Sequence, residues 1–256
     1  MRLDVSLFER GLARSRSEAK ALIEDGLVTV SNFVVKKPSH DVSLDDEIKV
    51  TSDAHRYVSR GALKLESAIR HFDFEITDKL AIDVGASTGG FTERLLLGGA
   101  RHVIAVDSGR EQLAPSLKCD ERVTSIEGYN ARYMKSCDFP YLPDLAVMDV
   151  SFISATYIIG PLYECLSDNA DFICLIKPQF EVGKSNIGKG GIVKSEKVRL
   201  MAVDKVIEYA KSCGFEFVSY IKSDVQGTDG NIEYLAHFKK RKKQENLLYE
   251  NSFDSQ

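Results

Sequence analysis

The stretch Ile82-Asp83-Val84-Gly85-Ala86-Ser87-Thr88-Gly89-Gly90-Phe91-Thr92 decides how this chain is read. The apolar run Leu80 to Val84 has the character of a buried strand. It stops at a glycine turn, and Phe91 to Leu97 then has helical character. Strand, glycine turn and helix, in that order, open a nucleotide-binding α/β fold. The glycines let a ligand approach main chain where a Cβ would collide, and N–H groups at the helix start are expected to hold an anionic group such as a carboxylate. A dinucleotide fingerprint asks for G-x-G-x-x-G, but Ser87 occupies the second glycine position.

Working outward toward the C-terminus, His102 to Val106 reads as a second strand. It ends in Asp107, about 20 residues after the turn, where an acid accepts hydrogen bonds from ribose hydroxyls. Val123 to Ile126 is a third strand, followed by Asn130 at a position suited to an adenine edge. Leu145 to Met148 ends in Asp149, and Asp171 to Ile176 ends in Lys177. Glu196 to Cys213 has helical spacing, and Glu216 to Ile221 and Ile232 to Phe238 are late strands. Alternating strands and helices predict a mainly parallel sheet, with its ligand outside the strand carboxyl ends. Asp83, Asp107, Asp149 and Lys177 all fall at such ends. Gly183 to Gly191 reads as a flexible loop carrying Lys184 and Lys189, which serves equally as a lid, a substrate contact or an idle surface loop. The run Lys239-Lys240-Arg241-Lys242-Lys243 reads as the start of a polar tail.

Working toward the N-terminus, Ala62 to Phe72 is helical and carries Lys64 one residue from its apolar face. The polar segment 53–60 reads as an interdomain linker ending in Arg60. Residues 3–10 and 15–25 read as short helices, with Ser15 or Ser17 capping the second. A tight hairpin around Ser31-Asn32 and, within Val42 to Val50, a short strand after the acidic turn Asp45-Asp46-Glu47 complete a small α+β unit over residues 1–52. Arg14, Arg16 and Lys20 cluster at one helix start, away from Glu24 and Asp25. With Arg2, Lys36, Lys37 and Arg60 they are the candidate phosphate contacts, since phosphates bind basic clusters and helix N-termini.

The bulk numbers bound what is left. At 256 residues and 43% hydrophobic, the chain can bury a core in one large domain and a small one. A net charge of −4 makes the whole molecule no magnet for nucleic acid, so RNA binding has to come from a local patch. Five scattered cysteines without a C-x-x-C pair argue against a zinc or redox site and suit reduced cytosolic thiols. There is no signal-peptide core, and no apolar run approaches the ~20 residues of a membrane helix.

The pattern D-x-G-x-x-x-G-G resembles the first motif of S-adenosylmethionine (SAM) methyltransferases. L-A-R-S-R-S-E-A-K-x-L-I-x-x-G-L-V-x-V, from Leu12 to Val30, resembles the S4 RNA-binding domain. Together with D-V-S-F-I-S, I-K-P-Q-F-E and G-N-I-E-Y-L, they resemble the TlyA (hemolysin A) family of ribosomal RNA 2′-O-methyltransferases, within the FtsJ-like superfamily. Two segments depart from the family pattern: His55-Arg56-Tyr57-Val58 lacks its tryptophan, and Asp107-Ser108-Gly109 replaces D-V-G. The resemblance implies a Rossmann-like class I SAM methyltransferase domain over 61–240, a small N-terminal α+β S4-like RNA-binding domain and a polar tail over 241–256. It implies SAM as cofactor, held by Asp83, Gly85, Ala86, Ser87, Gly89, Gly90, Phe91, Asp107, Asn130 and Asp149. It implies a catalytic tetrad of Lys64, Asp149, Lys177 and Glu233, ribosomal RNA or ribosomal subunits as partner, and a cytoplasmic location.

The chemistry fits those residue types. A sulfonium methyl is already activated, so no metal is needed. A ribose 2′-hydroxyl must lose its proton, and a lysine can take it where burial or a second cation favours the neutral amine. On this reading Lys64, Lys177 and the sulfonium repel one another, Lys177 is the base, Asp149 and Lys64 align the reacting atoms, and Glu233 supports them. The family's historical name implies the rival, a membrane-active hemolysin; this would need an amphipathic or apolar membrane segment, and none is evident. A third reading is an RNA-binding factor without catalysis, against which the complete tetrad argues.

Overall fold

The computed structural model describes residues 1–13, 15–24, 26–50, 57–227 and 230–241. Arg14, Asp25, linker residues 53–56 and tail residues 242–256 lie outside them. The chain divides into two compact units, Met1–Ala62 and Leu63–Gln256.

In the first unit, α1 (Leu3–Glu9) and α2 (Arg16–Glu24) pack on a three-stranded antiparallel sheet of order β2-β1-β3. The strands are β1 (Val28–Val30), β2 (Phe33–Val34) and β3 (Ile48–Val50). Leu3, Leu7, Ala19, Leu22, Ile23 and Val28 form the core. Ser15 Oγ accepts from the Glu18 N–H at 3.1 Å and caps α2. Ser31 and Asn32 both take positive φ, the twist a two-residue hairpin requires. The short strand expected after the acidic turn Asp45-Asp46-Glu47 is β3, the last three residues of Val42 to Val50. Ser43 N–H donates to Asp46 Oδ2 at 2.7 Å, and the Arg10 guanidinium takes the carbonyls of Ser43, Leu44 and Asp46. That acidic turn uses up the groups a ladder would need.

The second unit is built on a seven-stranded sheet of order β6-β5-β4-β7-β8-β10-β9. Strands β4 (Leu80–Val84), β5 (His102–Asp107), β6 (Val123–Glu127), β7 (Leu145–Met148) and β8 (Asp171–Ile176) are parallel. The last strand, β10 (Tyr234–Lys240), slots antiparallel between β8 and β9 (Phe215–Lys222). Helices α3 (Gly61–His71), α4 (Gly90–Leu97), α5 (Pro115–Lys118), α6 (Thr156–Cys165), α7 (Pro178–Glu181) and α8 (Glu196–Ser212) complete it. The main core lies among Ile82, Ile104, Met148, Ile159, Phe172 and Phe238.

Helix α6 contains Gly160-Pro161 and is held by burial of Ile158, Ile159 and Leu162. One sequence expectation changes here. The basic run after Phe238 begins as strand rather than tail. Lys240 is buried, and its ammonium donates to the carbonyls of Tyr163 at 2.8 Å and Leu166 at 2.7 Å, closing the C-terminal end of α6.

Candidate active site

The strand register brings the chemistry together. Tyr234 pairs with Ile176 across β10 and β8, so Glu233 and Lys177, one step further on each strand, stand opposite each other. Met148 pairs with Cys174 across β7 and β8, and with Val84 across β7 and β4. Asp149 and Gly85 therefore leave neighbouring strands side by side. Gly85 has φ +86, and a Cβ there would lie 2.5 Å from the Asp149 carbonyl oxygen, so glycine is required by both backbone and space.

Two lysine–carboxylate pairs form at this edge. Lys177 Nζ lies 2.5 Å from Asp149 Oδ1 and donates to Ser151 Oγ at 2.7 Å. From α3, Lys64 Nζ donates to Glu233 Oε2 at 2.6 Å, and both side chains are almost wholly buried. The sequence reading set the two ammoniums against each other. Here each has its own carboxylate, because β10 carries Glu233 to the end of β8.

Beside Asp149 opens a cleft of about 330 Å³, lined by Gly85, Ser87, Asp107, Asn130, Asp149 and Ser151, with Val106, Val150, Ile153 and Ile158 as apolar walls. Asp107 is fixed by backbone donors: Ser87 N–H to Oδ2 at 2.8 Å and Gly109 N–H to Oδ1 at 2.7 Å. Each of its oxygens keeps acceptor capacity. Asn130 caps the short turn after β6, its Oδ1 accepting from Arg132 N–H at 3.2 Å.

The other expected cofactor residues do not line the cleft. Ala86, Gly89, Gly90 and Phe91 are buried in the turn and in the first residues of α4. Asp83 is fully buried and accepts from Thr92 Oγ1 at 2.7 Å, which ties β4 to α4. Its Oδ1 is buried without a hydrogen-bond partner. Burial pushes the Asp83 carboxyl up to about 7; the Thr92 hydroxyl opposes this, and the Asp149 and Asp107 charges add to it. The N–H groups of the turn before α4 are also largely spent within the protein. The N–H groups of Gly85 and Ala86 donate to Val106 O, that of Ser87 to Asp107, and that of Gly89 to Ala86 O. What faces the cleft is carboxylate, which suits a cation.

Three features escaped sequence reading. Phe152 stands on the cleft rim, 92% exposed, with φ +64 and its ring 5.3 Å from that of Phe180. A bulky side chain in that backbone region marks strain of the kind held at functional sites. Nearby, the Arg132 guanidinium lies over the Tyr157 ring at 4.9 Å. Glu127 accepts from the N–H groups of Leu113, Gln112 and Glu111 and from Lys118 Nζ, which holds its carboxyl down at about 2 and fixes the loop after Asp107. Only the D-V-S-F run hinted at any of this, and hydrophobicity alone would have buried Phe152.

In the first unit, Arg2 and Arg16 both reach Asp4, at 2.9 and 3.4 Å, and Lys20 lies 3.7 Å from Glu24. Two guanidiniums against one carboxylate leave a local positive excess. Lys36 and Lys37 are exposed, and Arg60 directly precedes α3.

The FtsJ-like methyltransferase family matches residues 57–240, and the S4 domain matches residues 1–48. The chain is 43% identical over 235 residues to the 16S/23S rRNA (cytidine-2'-O)-methyltransferase TlyA of Mycobacterium tuberculosis, covering 91% of this chain and 88% of that protein. This chain belongs to the TlyA family of FtsJ-like methyltransferases. Another relative, Hemolysin A of Brachyspira hyodysenteriae, is 40% identical over 239 residues, covering 93% of this chain and 99% of its own. A solved structure provisionally described as a hemolysin, from Streptococcus thermophilus, matches with a TM-score of 0.76 at 41% identity, over 94% of this chain and 88% of that one. In this TlyA-family chain, no helix among the described residues is long and apolar enough to cross a membrane.

Proposed function

We propose that this TlyA-family protein transfers a methyl group from SAM to a ribose 2′-hydroxyl of ribosomal RNA. One observation carries the reading: Lys64, Asp149, Lys177 and Glu233, far apart in sequence, form two adjoining ion pairs at the sheet edge, beside an acidic cleft.

The residues present fit SAM. The unpartnered buried oxygen of Asp83, with Asp107 and Asp149 close enough to raise its pKa, makes a region short of positive charge. Asp107 would accept from ribose hydroxyls, Asn130 would meet the adenine edge, and Val106, Val150 and Ile158 would flank the base. When bound, SAM supplies a methyl group already activated by a positive sulfur. Lys177 serves as the base, taking the proton of the 2′-hydroxyl on Nζ, held in place by Ser151 and Asp149. Lys64 and Glu233, locked to each other, fix the neighbouring strand end and limit the poses open to the ribose. Phe152 offers a face on which the target base stacks once it leaves its helix. The positive excess around Arg2 and Arg16, with Lys36 and Lys37, supports phosphate contacts by the S4 unit.

Purified protein incubated with ribosomal subunits and methyl-labelled SAM tests this. Label is expected in RNA, at a ribose whose 3′ linkage then resists alkaline cleavage. Unlabelled RNA, or label confined to bases, overturns the proposal, and the first result would favour a catalytically silent ribosome-binding factor.

A further inference from the structure

The mechanism leaves one buried, fully engaged carboxylate unused. Glu181 ends α7, four residues after Lys177, and its side chain is only 2% exposed. Oε1 accepts from the Ala155 N–H at 2.7 Å. Oε2 accepts from Ser154 Oγ at 2.5 Å and from Lys205 Nζ at 3.1 Å, and the same ammonium donates to the Glu181 carbonyl at 2.9 Å. Ser154 Oγ also lies 2.7 Å from Thr156 Oγ1. One carboxylate thus joins three elements: the Lys177 segment, the loop from Asp149 to Ala155, and α8 through Lys205.

We propose that Glu181 is a positioning residue for methyl transfer, reaching the reacting atoms only through other groups. The loop it grips carries Asp149 and Ser151, which hold Lys177 Nζ, and Phe152 on the rim. The segment it belongs to carries Lys177 itself. Base and holders therefore sit on two separate stretches of chain, and Glu181 clamps one to the other. The clamp also bears on Phe152, whose positive φ needs its surroundings to hold it. A misplacement of about 1 Å at reacting groups can cost on the order of 100-fold in rate. An uncharged side chain at 181 weakens the grip on Ser154 and Lys205, lets the loop drift, and lowers the rate by misplacing Lys177 and its holders.

This rests on the methyltransferase reading above, and the test separates the two. Single-turnover methylation, RNA KM, S-adenosylhomocysteine affinity and thermal midpoint are measured for wild type, Glu181→Gln and Ser154→Ala. The expected result for Glu181→Gln is a single-turnover rate lower by about tenfold or more at saturating RNA and cofactor, a larger change than in KM or cofactor affinity. Ser154→Ala, which removes one hydroxyl and no charge, should lose about threefold with an unchanged midpoint, and serves if Glu181→Gln does not fold. A merely structural role predicts a lower midpoint with a wild-type single-turnover rate in the folded protein, and that result overturns the inference. Wild-type protein that labels no RNA overturns the methyltransferase reading and this inference together.

Discussion

The two halves of the sheet edge are made of different material. At the ends of β4, β5 and β6, the cleft is set by main chain: a glycine that admits no Cβ, N–H groups folded back onto the protein, and carboxylates pinned by backbone donors. At the ends of β7, β8 and β10, the site is made of side chains bonded to side chains: Lys177 with Asp149 and Ser151, Lys64 with Glu233, and Glu181 with Ser154. A main-chain wall keeps its shape under most substitutions. A side-chain network fails at single positions. Cofactor binding and transfer should therefore be separable by mutation.

Lys177→Ala tests that separation most severely. It should lower methyl transfer by 10²–10⁴-fold, the usual range for loss of a general base, while cofactor affinity by calorimetry stays near wild type. Turnover within tenfold of wild type would remove Lys177 from the role of base. An equal loss of cofactor binding would show that the two halves are one unit.

The Lys64–Glu233 pair sharpens the contrast by adding stability to chemistry. Lys64→Met leaves Glu233 buried without a counter-charge, a loss of about 3–5 kcal/mol. Lys64→Met with Glu233→Leu removes both charges and should recover much of that stability in urea unfolding, yet no activity. If activity returns with stability, the pair is a structural strut only. Phe152→Ala should spare stability, because the ring is exposed, and reduce kcat/KM by roughly 10–100-fold, the value of one stacked base.

Much of this architecture was readable from one sequence because strands and turns are local. The edges of β4, β5, β7 and β8 follow from apolar runs that end in a polar residue, and that placed Asp107, Asp149 and Lys177 together. Lys64 and Glu233 joined them through resemblance, since nothing in their own neighbourhoods marks a partner 169 residues away. What stayed hidden depends on long-range register and on side-chain direction. The insertion of β10 beside β8 pairs residues 171–176 with 234–239, and no local pattern announces it. Ser151, Phe152, Glu127 and Glu181 read as ordinary loop or helix-end residues until the neighbouring strands are in place. The motif position of Asp83 points to a ligand but does not announce the burial of its side chain.

Asp83 is where the main-chain half can be tested most finely. Its carboxyl sits at about 7 in the folded protein against 3.8 as the ordinary value, so folding favours its protonated form. A raised carboxyl contributes stability that is complete below about pH 4 and is lost as pH rises through about 7. Wild type should therefore lose stability relative to Asp83→Asn across that window, by at most about 1.4 kcal/mol per pH unit. A cationic ligand favours the ionised carboxylate, so SAM affinity should rise by up to about tenfold between pH 6 and 8, with a proton released on binding. Asp83→Asn should flatten both profiles while leaving the transfer rate at saturating SAM within a few-fold of wild type. A steep profile that survives in Asp83→Asn would take the titration away from Asp83 and overturn its part in the acidity of the cleft. A collapse of the transfer rate would instead mean that the wall behind the cleft and the lysine side of the edge are mechanically coupled, through the contact that Gly85 makes with the Asp149 main chain.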